Sequence, residues 1–265
     1  MNINDITPIQ ESGKILLKRD DMFEFNGMYG SKVRAGVALS ERAIQLGYDT
    51  ITTLGAKTSP QINIMATVGQ SLGLKVVGHT TTSPLQPDML SAIDKGAKII
   101  QHPYGYTSVL IKRTKDFATL NNAYYIPFGM DDSLSVELAR KQVESIIPYK
   151  DKIKRIVITA GSGINLAGII LGLKDNNLDI PVLAIMVGHN PSKILEKYVG
   201  EDHKKYYTII EALQPYNKNA EFTSINGVEV DSIYEGKSIP FLQEGDLFWV
   251  IGKRENQKQG KNKII

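Results

Sequence analysis

An α/β fold of two open, mostly parallel twisted sheets with flanking helices is predicted by three features of this 265-residue sequence. Short apolar segments alternate with amphipathic stretches, the rhythm of strand and helix. The apolar segments are continuous runs rather than alternating ones, so the strands are buried on both faces, as in a parallel sheet covered by helices. Two of these runs pass directly into turns that open helix patterns, which is where α/β sheets place their ligands.

In order, "TITTLG" reads as a strand, 59 to 72 as a helix, "KVVGHT" as a strand, 87 to 95 as a helix, "KIIQHP" as a strand, 107 to 121 as a helix and "AYYIP" as a strand. A second series follows: a helix from 133 to 146, "RIVITAG", a helix from 164 to 174, "PVLAIMVG", and further segments ending in "DLFWVIG". There is no internal repeat and no low-complexity linker. Sheets of this kind bind ligands at the carboxyl ends of their strands, so the informative loops are "LGAKTSPQ" and "TAGSGINLAG", and the active site is expected between the two sheets.

Composition narrows the function classes. A hydrophobic fraction of 42% supports a sizeable core, and the longest apolar runs reach only strand length. The opening "MNINDITPIQ" lacks a basic region followed by an apolar stretch, so neither export nor a membrane partner is expected and the cytoplasm is the default. The absence of cysteine excludes disulfides, thiolate zinc sites and cysteine nucleophiles. His79, His102, His189 and His203 lack ligand spacing, so no metal is expected and they read as structural or exposed. A net charge of +3 from 31 basic and 28 acidic residues gives too weak a field to argue for nucleic acid. The tail "GKRENQKQGKNK" reads as a solvated or frayed terminus.

The stretch "RIVITAGSGINLAGIILGL" runs from strand through glycine turn into helix, aiming backbone N–H groups at an anion. A tight turn that uses glycine only for its backbone angles is the plainer reading. The dinucleotide fingerprint fails, because Leu166 stands where a third small residue belongs. No phosphate cradle ending in Gly-Lys-Ser/Thr occurs, and no serine elbow. In "LGAKTSPQ", Ser59 reads as a helix N-cap with Pro60 at the first helical position, or as a hydroxyl facing a ligand. "NGMYGSKVR" sets Lys32 after a glycine-serine turn with Arg34 two residues on. In "VEVDSIYEGKSIPFL", taken in isolation, Tyr234 reads as half-buried packing and Glu235 as a surface charge.

Together, "KRDDMFEFNGMYGSKVR", "LGAKTSPQ", "TAGSGINLAG" and "DSIYEGKS" resemble, in order and spacing, the motifs of fold type II pyridoxal-phosphate enzymes. Within that family the chain looks most like 1-aminocyclopropane-1-carboxylate deaminase and D-cysteine desulfhydrase. The resemblance implies pyridoxal 5'-phosphate as cofactor. It places the Schiff-base lysine of G-G-N-K-x-R on Lys32, the S-N-Q loop on Ser59 and Gln61, and the phosphate cup G-S-G-G-T on Gly161, Ser162, Gly163, Ile164 and Asn165. The family stretch D-P-V-Y-E-G-K-S places a catalytic tyrosine on Tyr234 and the pyridine-nitrogen partner on Glu235, and Tyr216 is the candidate for a second tyrosine that contacts substrate. The family's organisation makes 36–130 a small inserted domain and 1–35 with 131–265 a large cofactor-binding domain, commonly in a homodimer.

The residue types suit that chemistry. A lysine nucleophile loses its proton in a partly desolvated, electropositive site. A phosphate needs donors, which a glycine turn at a helix start supplies. A carboxylate on the pyridine nitrogen keeps it protonated, and so strengthens the ring as an electron sink. Tyr234 and Ser59 are suited to proton transfer at the substrate.

The chain departs from the family pattern at Pro60, where the family has asparagine, at Ile164-Asn165, and at "WVIGKR" in place of H-L-G-G. The reading is a lyase or deaminase acting on a small amino acid or amino-acid-like amine. Two alternatives stand beside it. The chain also resembles compact bacteriophage proteins proposed to decarboxylate amino acids attached to thymine in DNA, a modified-DNA partner in the host cytoplasm with which a pI of 8.8 is compatible. The other is a pyridoxal-phosphate-binding protein without catalysis.

Overall fold

The structure is a computed structural model that describes residues 2–254 and 259–265. It forms two compact units: Met1–Phe23 with Tyr29–Ser31 and Ser135–Ile265, and Glu24–Met28 with Lys32–Leu134.

The chain opens with an antiparallel pair, β1 (Ile9–Ser12) and β2 (Ile15–Arg19). A tight turn at Asn26 and Gly27, both left-handed, separates the short strands β3 (Glu24–Phe25) and β4 (Met28–Tyr29), and helix α1 (Ser31–Gln45) follows. Next come β5 (Thr50–Leu54), α2 (Gln61–Leu72), β6 (Lys75–Thr81), α3 (Pro87–Asp94), β7 (Lys98–His102), α4 (Thr107–Leu120) and β8 (Tyr124–Ile126). The four strands form a parallel sheet in the order β7-β6-β5-β8. Within this unit, α2 buries Ile62, Met65 and Val68 completely, the one-turn spacing expected of a helix laid on a sheet.

Pairing β6 with β7 brings together two histidines whose spacing in the sequence carries no signal. His79 and His102 stack with ring centroids 5.1 Å apart and a 2.8 Å contact from Nδ1 to Nε2, and Phe117 of α4 meets His79 edge-on. Burial first, then the neighbouring His102, lowers His79 from 6.5 to about 4; burial and Arg113 lower His102 as well. The unfolded chain therefore takes up a proton near pH 6.5 that folded His79 refuses until about pH 4, so stability falls as pH drops through that window. A His79→Phe variant should show a flatter dependence of its urea midpoint between pH 6.5 and 4. An unchanged slope would remove His79 as the cause.

The other unit continues with α5 (Ser133–Lys141), whose first two residues lie in the preceding unit, then a 3₁₀ segment Gln142–Lys152, β9 (Arg155–Ala160), α6 (Ile164–Asp175), β10 (Val182–Met186), α7 (Ser192–Val199), β11 (Thr208–Glu211), β12 (Phe222–Ile225), β13 (Val228–Glu229), β14 (Asp246–Val250) and β15 (Lys261–Lys263). The expected 133–146 helix thus ends its α-helical part at Lys141. Pro148 has no N–H to donate, and Gln142 turns its side chain to Thr7 and Lys18.

The main sheet has the order β1-β2-β14-β9-β10-β11 and is parallel except at its β1 edge. Its central strands show why their apolar runs are continuous. Ile156, Ile158, Leu247 and Trp249 join one core with α6, while Val157, Phe248 and Val250 join a second core on the other face. Successive residues of a strand point to opposite faces, and here both faces are covered. Against α5, helix α6 approaches so closely at Gly168 that a Cβ there would lie 2.6 Å from Ala139 Cβ and 2.7 Å from the Val136 carbonyl.

The tail differs from a frayed terminus. β15 pairs in parallel with β12, Lys261 donates to Glu221 at 2.8 Å, and the Ile265 carbonyl accepts from Lys14 N–H at 3.1 Å. The backbone donors and acceptors of a chain end find partners here that no local pattern announces. Residues 255–258 of the tail lie outside the described residues. Among the described residues, no helix is long and apolar enough to cross a membrane.

Candidate active site

At the carboxyl end of β9 the chain turns through Gly161, Ser162 and Gly163 into α6. Gly163 has φ 95°, and a Cβ on it would stand 2.7 Å from Pro191 Cβ, so both conformation and space demand glycine. Ile164 is buried and Asn165 half-buried at the start of the helix, where the first backbone N–H groups lack intrahelical acceptors and the helix dipole is positive.

Asn165 Nδ2 donates to Ser31 Oγ at 3.0 Å, and Ser31 N–H donates to the Ile251 carbonyl at 2.9 Å. Ser31 is thereby tied to the glycine turn and to the end of β14, and the next residue in the chain is Lys32. Lys32 is half-buried in the first turn of α1, and Arg34, two residues on, is almost wholly buried.

Above the same turn lies Tyr234. A Cβ on Gly161 would meet its ring at 3.0 Å. Its phenol donates to Tyr216 Oη at 3.2 Å, with the rings edge-on and 5.8 Å apart. Burial, and then Tyr216, raises the Tyr234 phenol well above 10, so it stays protonated at physiological pH. Glu235 is buried at 3% exposure, which corrects its reading in isolation as a surface charge. The turn that buries it is closed by Ser238, whose hydroxyl lies 2.6 Å from Thr159 Oγ1 on β9.

Two groups in this cluster escaped the sequence reading. Asp231 Oδ1 accepts from the N–H groups of Ile233 at 2.7 Å and Tyr234 at 3.0 Å. That Asx turn was legible as an aspartate three residues before the tyrosine. Asp231 Oδ2 meets Arg254 Nε at 2.7 Å, and the Arg254 guanidinium lies 5.8 Å from the Tyr234 ring centroid. No local pattern links positions 231 and 254.

In the other unit, Ser59 is buried at the start of α2 and accepts from Gln61 N–H at 3.3 Å, with Pro60 between them in helical backbone geometry. The helix begins at Gln61 and its N-cap is Pro60, whose carbonyl accepts from Ile64 N–H at 2.9 Å, so Ser59 stands one residue before the cap that the sequence assigned to it and its hydroxyl serves the first helical N–H from there. Gln61 acts as a clamp: its Nε2 donates to Thr53 Oγ1 at 2.8 Å and to the Pro127 carbonyl at 2.7 Å, while its Oε1 accepts from Gly129 N–H at 2.9 Å. Both of its donors are engaged with protein. Gly161, Ser162, Gly163, Ile164, Asn165, Tyr216, Tyr234 and Glu235 lie in one unit, and Lys32, Ser59 and Gln61 belong to the other.

The architecture and the glycine turn entering α6 define the class: this is the fold of the fold type II pyridoxal-phosphate enzymes. The chain is similar to an ACC deaminase homologue, with TM-score 0.80 and 24% identity over 95% of this chain and 90% of that one. It is also similar to the processed form of threonine deaminase isoform 2 from Solanum lycopersicum, with TM-score 0.69 and 13% identity over 96% and 82% of the two chains. A pyridoxal 5'-phosphate-dependent aspartate racemase matches with TM-score 0.56 and 15% identity over 93% and 74%. No family model matches the sequence, and no curated protein compared with it does.

Proposed function

We propose that this protein is a pyridoxal-phosphate-dependent lyase or deaminase of a small amino acid or amino-acid-like amine, with Lys32 as the residue that carries the cofactor. The observation that carries this reading is the cup at Gly161–Gly163, which opens a helix beneath the Tyr234 ring and is followed in the fold by a buried carboxylate, Glu235. The residues present fit the group: a side chain at Gly163 would fill the cradle, the helix start offers donors to a phosphate, and no acid stands within residues 161–165 to repel it.

When bound, the cofactor supplies an electron sink for charge developing at the substrate α-carbon. Residues 161–165 hold its phosphate through backbone N–H groups. Glu235 would hold a proton on the pyridine nitrogen, since opposite charges attract more strongly where burial lowers the effective dielectric. Lys32 binds the cofactor through its amine and exchanges a proton with the α-carbon. Tyr234, held neutral, gives a proton rather than taking one, with Tyr216 at its hydroxyl. The Ser59 hydroxyl would serve the substrate carboxylate, and Gln61 keeps the loop that bears it in place through its bonds to Thr53, Pro127 and Gly129. Pro60 contributes no N–H there, so the carboxylate is held by fewer donors.

Adding pyridoxal phosphate to the purified protein should produce a visible absorbance band that borohydride bleaches, and Lys32→Ala should abolish the band and the borohydride-dependent labelling together. A band that survives Lys32→Ala would overturn the assignment. Incubation with free D- and L-amino acids should release a keto acid and ammonia. Release of carbon dioxide from aminoacyl-modified thymine in DNA, with none of these products from free amino acids, would defeat the lyase or deaminase reading.

A further inference from the structure

Lys237 has no accessible surface, and its ammonium donates to two backbone carbonyls: Nζ lies 2.9 Å from the Pro215 oxygen and 3.2 Å from the Tyr216 oxygen. A charge taken out of water persists only where donors of this kind are satisfied. These acceptors belong to consecutive residues in the segment after β11. The Tyr216 ring that the segment carries packs against Gly188, just past β10, where a Cβ would come within 3.4 Å of it. From there its hydroxyl accepts from Tyr234. The circuit closes on Lys237 itself, whose backbone N–H donates to the Tyr234 carbonyl at 3.0 Å. One residue therefore grips the backbone of both tyrosines, with its side chain on one and its main chain on the other.

We propose that Lys237 is a positioning residue: its buried ammonium clamps the Pro215–Tyr216 segment and so fixes the Tyr216 phenol against the Tyr234 phenol. The assignment rests on the reading of Tyr234 as the proton donor in so far as it concerns catalysis, while the clamp itself stands without cofactor. Asp231 and Arg254 act on the ammonium, and the Tyr216 ring centroid lies 6.0 Å from it. Burial lowers Lys237 from 10.5 to about 8, with Asp231 opposing and Arg254 assisting. As pH rises through 8, the ammonium becomes an amine, and its hydrogen bonds to the two carbonyls lose their charge assistance.

The test uses the full chain, labelled with fluorotyrosine and free of cofactor, with the two resonances assigned from Tyr216→Phe and Tyr234→Phe. In Lys237→Met the Tyr216 resonance should move and broaden while the unfolding midpoint stays near wild type. In the wild-type protein the same resonance should show an inflection near pH 8 that Lys237→Met lacks. A Tyr216 resonance unmoved by the substitution overturns the proposal. If the variant fails to fold, the wild-type line decides the matter: a clamped Tyr216 gives one sharp resonance, and a line averaged over several ring positions overturns the proposal. Loading wild type with pyridoxal phosphate separates the two readings: no absorbance band defeats the proposed function and leaves the clamp standing. If the band forms, Lys237→Met should retain it and lose roughly tenfold or more in kcat for whichever free amino acid wild type turns over, with KM little changed, as expected of a misplaced proton donor.

Discussion

Alanine at Gly163 is expected to release the cofactor and to lower stability together. The residue sits at φ 95°, where a side chain strains the backbone by about 1–3 kcal/mol. Its Cβ would also stand 2.7 Å from Pro191 Cβ and 3.5 Å from Ile194 Cβ, both at the start of α7. Relief requires moving either the turn or α7, and the turn carries the N–H groups proposed to hold the phosphate. A pyridoxal-phosphate titration of Gly163→Ala should give a Kd at least roughly tenfold higher than wild type, the weight of about 1.4 kcal/mol. Gly105→Ala is the control. A Cβ there meets nothing closer than 3.9 Å and the backbone is not left-handed, so its stability should change by less than about 0.5 kcal/mol. Wild-type affinity in Gly163→Ala would show that the phosphate is held elsewhere.

The second large effect lies at Asp20. This residue is fully buried; its Oδ1 accepts from Thr7 Oγ1 at 2.8 Å and its Oδ2 from Trp249 Nε1 at 2.9 Å. Thr7 also accepts at its carbonyl from Lys18 Nζ, which donates in turn to Gln142 Oε1 at 3.0 Å, so the N-terminal segment, β2, β14 and the 3₁₀ segment share one polar network. Asp20→Asn keeps the shape but turns an N–H₂ toward either the Thr7 hydroxyl or the Trp249 N–H. A loss of about 2–4 kcal/mol is expected, seen as a lower urea midpoint with an unchanged m value. A loss below about 1 kcal/mol would mean that the network relaxes without cost.

The legible part of the site was what the backbone makes locally. A glycine turn between an apolar run and a helix pattern can bind an anion wherever it stands, and Gly163 is confirmed as a position that tolerates no side chain. The start of α2 was legible to within one residue: the cap falls on Pro60 rather than Ser59. The partners of Tyr234 were not. Tyr216 lies 18 residues away, and Arg254 stands in the segment where "WVIGKR" departs from the family pattern. The burial of Glu235 was equally hidden, because one turn of Asp, Tyr, Glu and Lys has the composition of a surface loop, and the chain folds it inward by closing Ser238 onto Thr159.

By itself the sequence determined the succession of strands and helices, the burial of the central strands on both faces, and the glycine turn into α6. These follow from steric limits and side-chain periodicity that act within a few residues. Only the tertiary structure decided that Asp20 would meet Trp249 across 229 residues, that His79 would stack on His102, that the tail would add β15 to a small sheet, and that Lys237 would grip both tyrosines. Those pairings depend on the strand orders β1-β2-β14-β9-β10-β11, β7-β6-β5-β8 and β13-β12-β15 and on the packing they permit, a choice made by many weak contacts between distant segments.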